Sequence, residues 1–154
     1  MSEIVVTENI TGTAMDELRS THDVHFDPSL WQDVDRLKGI LRDARALIVR
    51  NQTQVTPSLI AAAPRLEVIG RAGAGLDNID TDAAAAAGVV VSFTPSENSV
   101  SVAELVLGQM LTLVRRIPAA WHDTRNGGWD RQQFTGGELF QKTLGIVGLG
   151  RIGR

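Results

Sequence analysis

Five short apolar runs, separated by stretches with helical spacing, constrain the fold more than any other feature of this sequence. Ile4–Thr7, Val24–Phe26, Ala46–Val49, Leu66–Gly70 and Val89–Phe93 read as strands. Between them, Thr13–Ser20 reads as a helix, and Leu30–Arg42 carries Leu30, Val34, Leu37 and Leu41 at helical intervals. Thr56 followed by Pro57 is an N-cap with proline at the first helical position, which starts a helix over Pro57–Ala63. Asp80 or Thr81 caps an alanine-rich helix that Gly88 ends. Its Ala83–Ala87 run combines the best helix former with a side chain small enough for close packing on a sheet. Strands alternating with helices imply parallel pairing through right-handed crossovers. Residues 1–93 are therefore expected to form a five-stranded α/β unit.

Thr94-Pro95 breaks this rhythm and marks a domain boundary. Beyond it, Ser99–Arg116 reads as a long helix. Val100, Ala103, Leu107, Met110, Leu111, Val114 and Ile117 form one stripe, which Val102, Leu105, Val106 and Leu113 widen. A helix apolar on most sides is buried on most sides, so it is expected to meet a second subunit or a further part of the same protein. Left uncovered, such a surface invites aggregation. Near the end of the chain, Leu144–Val147 reads as a strand running into Gly148-Leu149-Gly150-Arg151-Ile152-Gly153. In a Gly-x-Gly-x-x-Gly turn of this kind the first glycine permits the turn and the second admits a pyrophosphate. The third allows a helix to pack on the strand, its N-terminus facing the phosphates. Residues 94–154 thus read as an interface helix and the truncated start of a dinucleotide-binding unit, and the chain as a fragment.

The chain has 154 residues, a formal net charge of −3 and no cysteine. These values exclude disulfides, thiolate catalysis and cysteine-based metal sites, and no basic cluster argues for nucleic acid. No apolar run is long enough to span a membrane, and the N-terminus lacks a secretory pattern; a cytoplasmic location is the expectation. His22, His25 and His122 show no metal-ligand spacing and read as surface or packing residues.

Gly70-Arg71-Ala72-Gly73-Ala74-Gly75-Leu76-Asp77-Asn78-Ile79-Asp80 follows a strand, so it lies beyond the carboxyl end of the sheet, where open α/β folds bind ligands. Small residues at 72–75 let backbone N–H groups form an oxyanion nest, and Arg71 adds charge. Arg50, in Val49-Arg50-Asn51-Gln52-Thr53, sits on the same rim. Two guanidinium groups and a nest suit a small dianion. Arg131, in Gly127-Gly128-Trp129-Asp130-Arg131, reads by itself as a solvated loop charge. Glu97, Asn98 and Ser99 read as caps of the long helix.

Four blocks occur in order: Arg50–Thr53, Gly70–Asp80, Asn98–Glu104 (Asn-Ser-Val-Ser-Val-Ala-Glu) and Gly145–Gly153. Together they resemble the D-isomer-specific 2-hydroxyacid dehydrogenases, closest to the phosphoglycerate branch, over Leu47 to Arg154. The first 45 residues share only the strand–helix rhythm. The resemblance implies a flavodoxin-like substrate domain (1–93), then the start of a Rossmann domain (94–154), with the active site in the cleft between substrate and nucleotide domains. It implies that the Ala74 and Gly75 backbone holds the substrate carboxylate, Ala74 also lying near NAD, while Arg50 and Arg71 face a distal anion. It further implies that Gly148, Gly150, Arg151, Ile152 and Gly153 contact the cofactor and that Arg131 reaches the partner's cleft. The long helix becomes a homodimer interface. The family's catalytic arginine, carboxylate and histidine are expected beyond Arg154, leaving the fragment inactive by itself.

Asn51-Gln52 and Ala74 depart from the phosphoglycerate branch, so a sulfonated 2-hydroxy acid or hydroxypyruvate stays open beside 3-phosphoglycerate. NAD versus NADP is set beyond Arg154. Two other readings compete with the dehydrogenase: a non-catalytic module that binds a small anion and dimerises, and a nucleotide-binding protein of unrelated chemistry. The Gly70–Asp80 block argues against the last, which needs no second oxyanion nest.

Overall fold

Ile4-Val5-Val6 is apolar at every position, which suits a strand covered on both faces. In the computed structural model, which describes residues 2–154, this triplet is strand β1 (Ile4–Val6), and all three residues are buried. It pairs in parallel with β2 (Val24–Phe26) on one side and β3 (Ala46–Val49) on the other. β4 (Val68–Arg71) and β5 (Val90–Phe93) extend the sheet, also in parallel, giving the order β2-β1-β3-β4-β5. That order is the flavodoxin-like doubly wound arrangement. The α/β expectation holds, strand for strand.

Side-chain alternation divides the core in two. Val5, Leu47, Val49 and Ile69 point to one face. There they meet Leu37 and Leu41 of α2 (Val34–Leu41), Leu59 and Ile60 of α3 (Pro57–Ala61), and Ala84 of α4 (Thr81–Ala86). Ile4 and Val6 point to the other face, where Met15 and Leu18 of α1 (Thr13–Thr21) cover them with Ala46 and Ile48 alongside. Among the described residues α1 is the helix in this second cluster, and Val90 on β5 is 63% exposed.

Local chemistry sets the helix starts. Thr56 Oγ1 accepts from the Leu59 N–H at 3.3 Å, and Asp80 Oδ1, rather than Thr81, accepts from the Ala83 N–H at 2.8 Å. Gly88 takes a φ of +74°, a left-handed conformation that ends α4. The spacing over 30–42 predicts one helix, but the structure divides it into a 3-10 turn at Leu30–Gln32 followed by α2. Asp33 makes the break, because its Oδ1 caps α2 by accepting from the Arg36 N–H at 3.0 Å.

The chain forms two compact units that divide between Glu97 and Asn98, two residues beyond the Thr94-Pro95 segment where the sequence places the boundary. The second unit begins with α5 (Ser99–Arg115). Asn98 stands at its N-cap position without a side-chain hydrogen bond, so the side-chain cap read from sequence does not form. Arg116, with φ of +52°, turns the chain into α6 (Ile117–Arg125), a helix the sequence reading does not separate; Pro118 in its first turn is the available signal. No residue of α5 is buried, and Val100, Leu107 and Leu113 are exposed. Leu144–Val147 does not form the predicted strand: the run has no assigned strand structure, and Val147 is fully exposed. A strand needs a neighbour for its N–H and C=O groups, and among the described residues this run has none.

Leu47 lies at the centre of the sheet and is fully buried. Leu47→Ala is expected to destabilise the first unit by about 2–5 kcal/mol, whereas Val90→Ala changes stability by about 0.5 kcal/mol or less. Urea unfolding followed by circular dichroism measures both.

Candidate functional site

The carboxyl ends of β1, β3 and β4 form one rim of the first unit. β3 and β4 pair with Val49 opposite Arg71, so Arg50 and Arg71 leave the sheet side by side. Each is followed by a loop, and the two loops are built in opposite ways.

The 50–53 loop wraps around a carboxylate. Glu8, two residues past the end of β1, is 2% exposed. Its Oε1 accepts from the Arg50 N–H at 2.9 Å, the Thr53 N–H at 3.0 Å and the Thr53 hydroxyl at 2.8 Å. Its Oε2 accepts from the Asn51 and Gln52 N–H groups at 3.1 and 3.0 Å. Asn78 closes the loop from the other side, its Nδ2 donating to the Arg50 carbonyl at 3.1 Å and the Thr53 carbonyl at 2.7 Å. The Thr7 and Thr53 hydroxyls share a hydrogen bond at 2.7 Å. The Arg50 side chain is exposed and has no acidic partner among the described residues.

The 71–77 loop wraps around a guanidinium. The Arg71 side chain is only 10% exposed, and its Nη2 lies 4.0 Å from Asp77 Oδ1. It lies against Gly73 and Gly75: a Cβ on Gly73 would sit on Arg71 Nη1, and one on Gly75 would come within 2.7 Å of Asp77 Oδ1 and 3.8 Å of Arg71 Nη2. The glycines are thus needed for close approach by a side chain of the same loop. Arg71 Nε is buried without an acceptor. The nest is smaller than the sequence suggests, because the Ala72 N–H donates to the Val49 carbonyl and the Gly73 N–H to the Arg71 carbonyl, both at 2.9 Å. The N–H groups of Ala74 and Gly75 remain without a partner among the described residues.

The other candidate residues lie in the second unit. Arg131 is exposed on a loop that Asp130 shapes, its Oδ1 accepting from the Gln132 and Gln133 N–H groups at 3.0 and 2.9 Å. Gly148 takes φ of +94°, and a Cβ on Gly153 would collide with the Gly148 carbonyl, so 148–153 closes as a turn on its own backbone. The space beside Gly150 is open, which leaves room for a phosphate to approach. Arg151 and Ile152 belong to this turn and are exposed; no helix follows Gly150 among the described residues. No cluster of His, Asp or Glu suited to a metal occurs among the described residues, and no helix is long and apolar enough to cross a membrane.

Sequence reasoning missed Glu8, Thr53 and Asn78. For Glu8 a signal exists: a carboxylate just past the carboxyl end of a buried strand faces the same rim as Arg50. Burial acts most strongly on the Glu8 carboxyl and pushes its pKa up. The amides of Thr53, Arg50 and Gln52 and the Thr53 hydroxyl together outweigh that, holding it below its ordinary value. A carboxylate with a lowered folded pKa stabilises the fold at pH above the ordinary range, and this contribution is lost as pH falls through the folded value. Acidification from about pH 6 to about pH 3 is therefore expected to lower the urea midpoint more steeply in the wild type than in Glu8→Gln.

Comparison with known proteins identifies the family. Residues 4–144 match the family model described as D-isomer specific 2-hydroxyacid dehydrogenase, catalytic domain. The chain is 44% identical over 154 residues to a D-3-phosphoglycerate dehydrogenase from Methanocaldococcus jannaschii, covering 100% of this chain and 29% of that protein. It is 54% identical over 120 residues to the Rattus norvegicus D-3-phosphoglycerate dehydrogenase, covering 78% of this chain and 22% of that one. A D-lactate dehydrogenase from Aquifex aeolicus, solved with NAD and lactic acid, superposes with a TM-score of 0.85 at 26% identity, covering 97% of this chain and 45% of that one. The chain thus spans less than a third of the length of these two phosphoglycerate dehydrogenases. The match reaches back to residue 4, so the likeness extends over the first 45 residues as well as the motif-bearing part. With its parallel sheet and its match over residues 4–144, this chain belongs to the D-isomer specific 2-hydroxyacid dehydrogenase family.

Proposed function

We propose that this chain is the N-terminal part of an oxidoreductase that transfers a hydride between NAD and a D-2-hydroxy acid carrying a second anion, 3-phosphoglycerate or a similar dianion. The observation that carries this reading is Arg71. Its side chain is nine-tenths buried, the guanidinium lying against Gly73 and Gly75 with Nε lacking an acceptor, and the Ala74 and Gly75 N–H groups of the same loop have no partner among the described residues. A buried cationic donor without an acceptor is costly, and an oxyanion on this rim relieves that cost. The Ala74 and Gly75 amides then hold the C1 carboxylate, while Arg50 and Arg71 hold the distal anion, bidentately where it is a phosphate.

The glycine turn at 148–153 fits the pyrophosphate of a dinucleotide, since Gly148 has the required left-handed conformation and the approach to Gly150 is open. When bound, the nicotinamide accepts the hydride that leaves C2. Gly148, Gly150 and Gly153 let the phosphates come close to the backbone, and Arg151 adds positive charge beside them. We assign the proton acceptor to none of His22, His25 and His122, but to the part of the family's length that this chain does not cover. The chain by itself binds substrate without turning it over. The exposed apolar face of α5 is the contact with a second copy, which carries Arg131 toward the partner's substrate.

Calorimetric titration tests the substrate reading. 3-Phosphoglycerate is expected to bind more tightly than D-glycerate, and Arg71→Gln or Arg50→Gln to weaken 3-phosphoglycerate binding by about tenfold to a hundredfold. Equal affinity for the two ligands refutes the dianion assignment. For the dimer, Leu107→Glu places a charge on the exposed face of α5 and is expected to shift the sedimentation coefficient from dimer to monomer.

A further inference from the structure

Arg50 is held in an unusual way. Its N–H is bound by Glu8 at 2.9 Å and its carbonyl by Asn78 at 3.1 Å, both from side chains buried in the sheet rim. Its own side chain is exposed and has no acidic partner among the described residues. The protein thus fixes the backbone of this residue on both polar groups and leaves its guanidinium for something outside the chain. Thr53, at the other end of the loop, is held in the same double manner by Glu8 and Asn78.

Closing this loop does not require a charge. A buried carboxylate carries a desolvation penalty that a hydroxyl or an amide would largely avoid. What a carboxylate alone provides is acceptors on both oxygens and no donor. Here those acceptors take the N–H groups of four successive residues and one hydroxyl, which leaves the loop a single conformation. A glutamine at this place would turn an amino group toward at least one N–H.

We infer that Glu8 is a positioning residue for substrate selection: its buried carboxylate, seated under the 50–53 loop, sets the direction from which Arg50 meets the distal anion of the substrate. This rests on the assignment of Arg50 to that anion. Glu8 touches no substrate in this account and acts only through Arg50.

The test compares ligands with and without the distal anion, because loss of general stability weakens both while loss of Arg50 positioning weakens one. Calorimetric dissociation constants for 3-phosphoglycerate and D-glycerate are measured on the whole chain in wild type, Glu8→Gln and Thr53→Val. In Glu8→Gln the preference for 3-phosphoglycerate is expected to shrink by about tenfold, with D-glycerate affinity within about twofold of wild type. Thr53→Val removes one of the five donors and is expected to lower the preference by about twofold to threefold. It decides the matter alone if circular dichroism shows Glu8→Gln unfolded. An unchanged preference in the folded variants overturns the inference and leaves Arg50 assigned as before. Parallel weakening of both ligands also overturns it, giving Glu8 a role in stability alone. No preference in the wild type removes the assignment of Arg50 and the inference with it.

Discussion

The Glu8 carboxylate is the interaction on which the rim depends. Four consecutive N–H groups leave β3 without backbone partners, and that of the buried Thr53 would cost about 1–3 kcal/mol if left without an acceptor. One side chain, two residues past the end of β1, satisfies all four. Neighbouring parallel strands are thereby joined beyond their ladder, at the point where the ladder stops and the site begins. Asn78 adds a third segment by holding two carbonyls of the same loop. An isolated parallel bridge between Val55 and Ile79 continues the connection. The loop that carries Arg50 is consequently as well anchored as the strands it joins.

The amino end of the same sheet is secured differently. Arg45, just before β3, donates from Nε and Nη2 to Glu67 at 2.8 and 2.9 Å and lies 3.6 Å from Glu3. Those groups are solvent-exposed, so each pair contributes little to stability and weakens with salt. A solvated ion pair tolerates movement, whereas a buried carboxylate with five donors does not. The contrast places the buried, many-donor tie at the carboxyl end of the sheet, beside the candidate site, and the solvated one at the amino end.

How far the sequence foretold the structure follows from the range of the forces involved. β2 and β3 have the bounds that the apolar runs predict, and the caps at Thr56 and Asp80 follow from chemistry within three residues. Such features are local. The Leu144–Val147 run has the composition of a strand but lacks neighbours to pair with, and pairing is a property of the surroundings. Asp33 divides a segment whose apolar spacing is continuous, because a short acidic side chain competes with the backbone in a way periodicity does not register. Arg50 and Arg71 are legible as a pair since both end strands. Glu8 is not, because only the adjacency of β1 to β3 puts it beneath a loop more than 40 residues away. The fold of Arg71 onto its own glycines is equally invisible in one dimension.

That last contact changes what glycine means at position 73. Its hydrogen leaves the volume in which the Arg71 guanidinium rests. A methyl group there would collide with the guanidinium, and the φ of +156° at this position also disfavours a side chain. The placing of that charge is therefore encoded partly by an absent side chain. A larger side chain at position 73 would thus reshape the rim while leaving the buried sheet beneath it as it is.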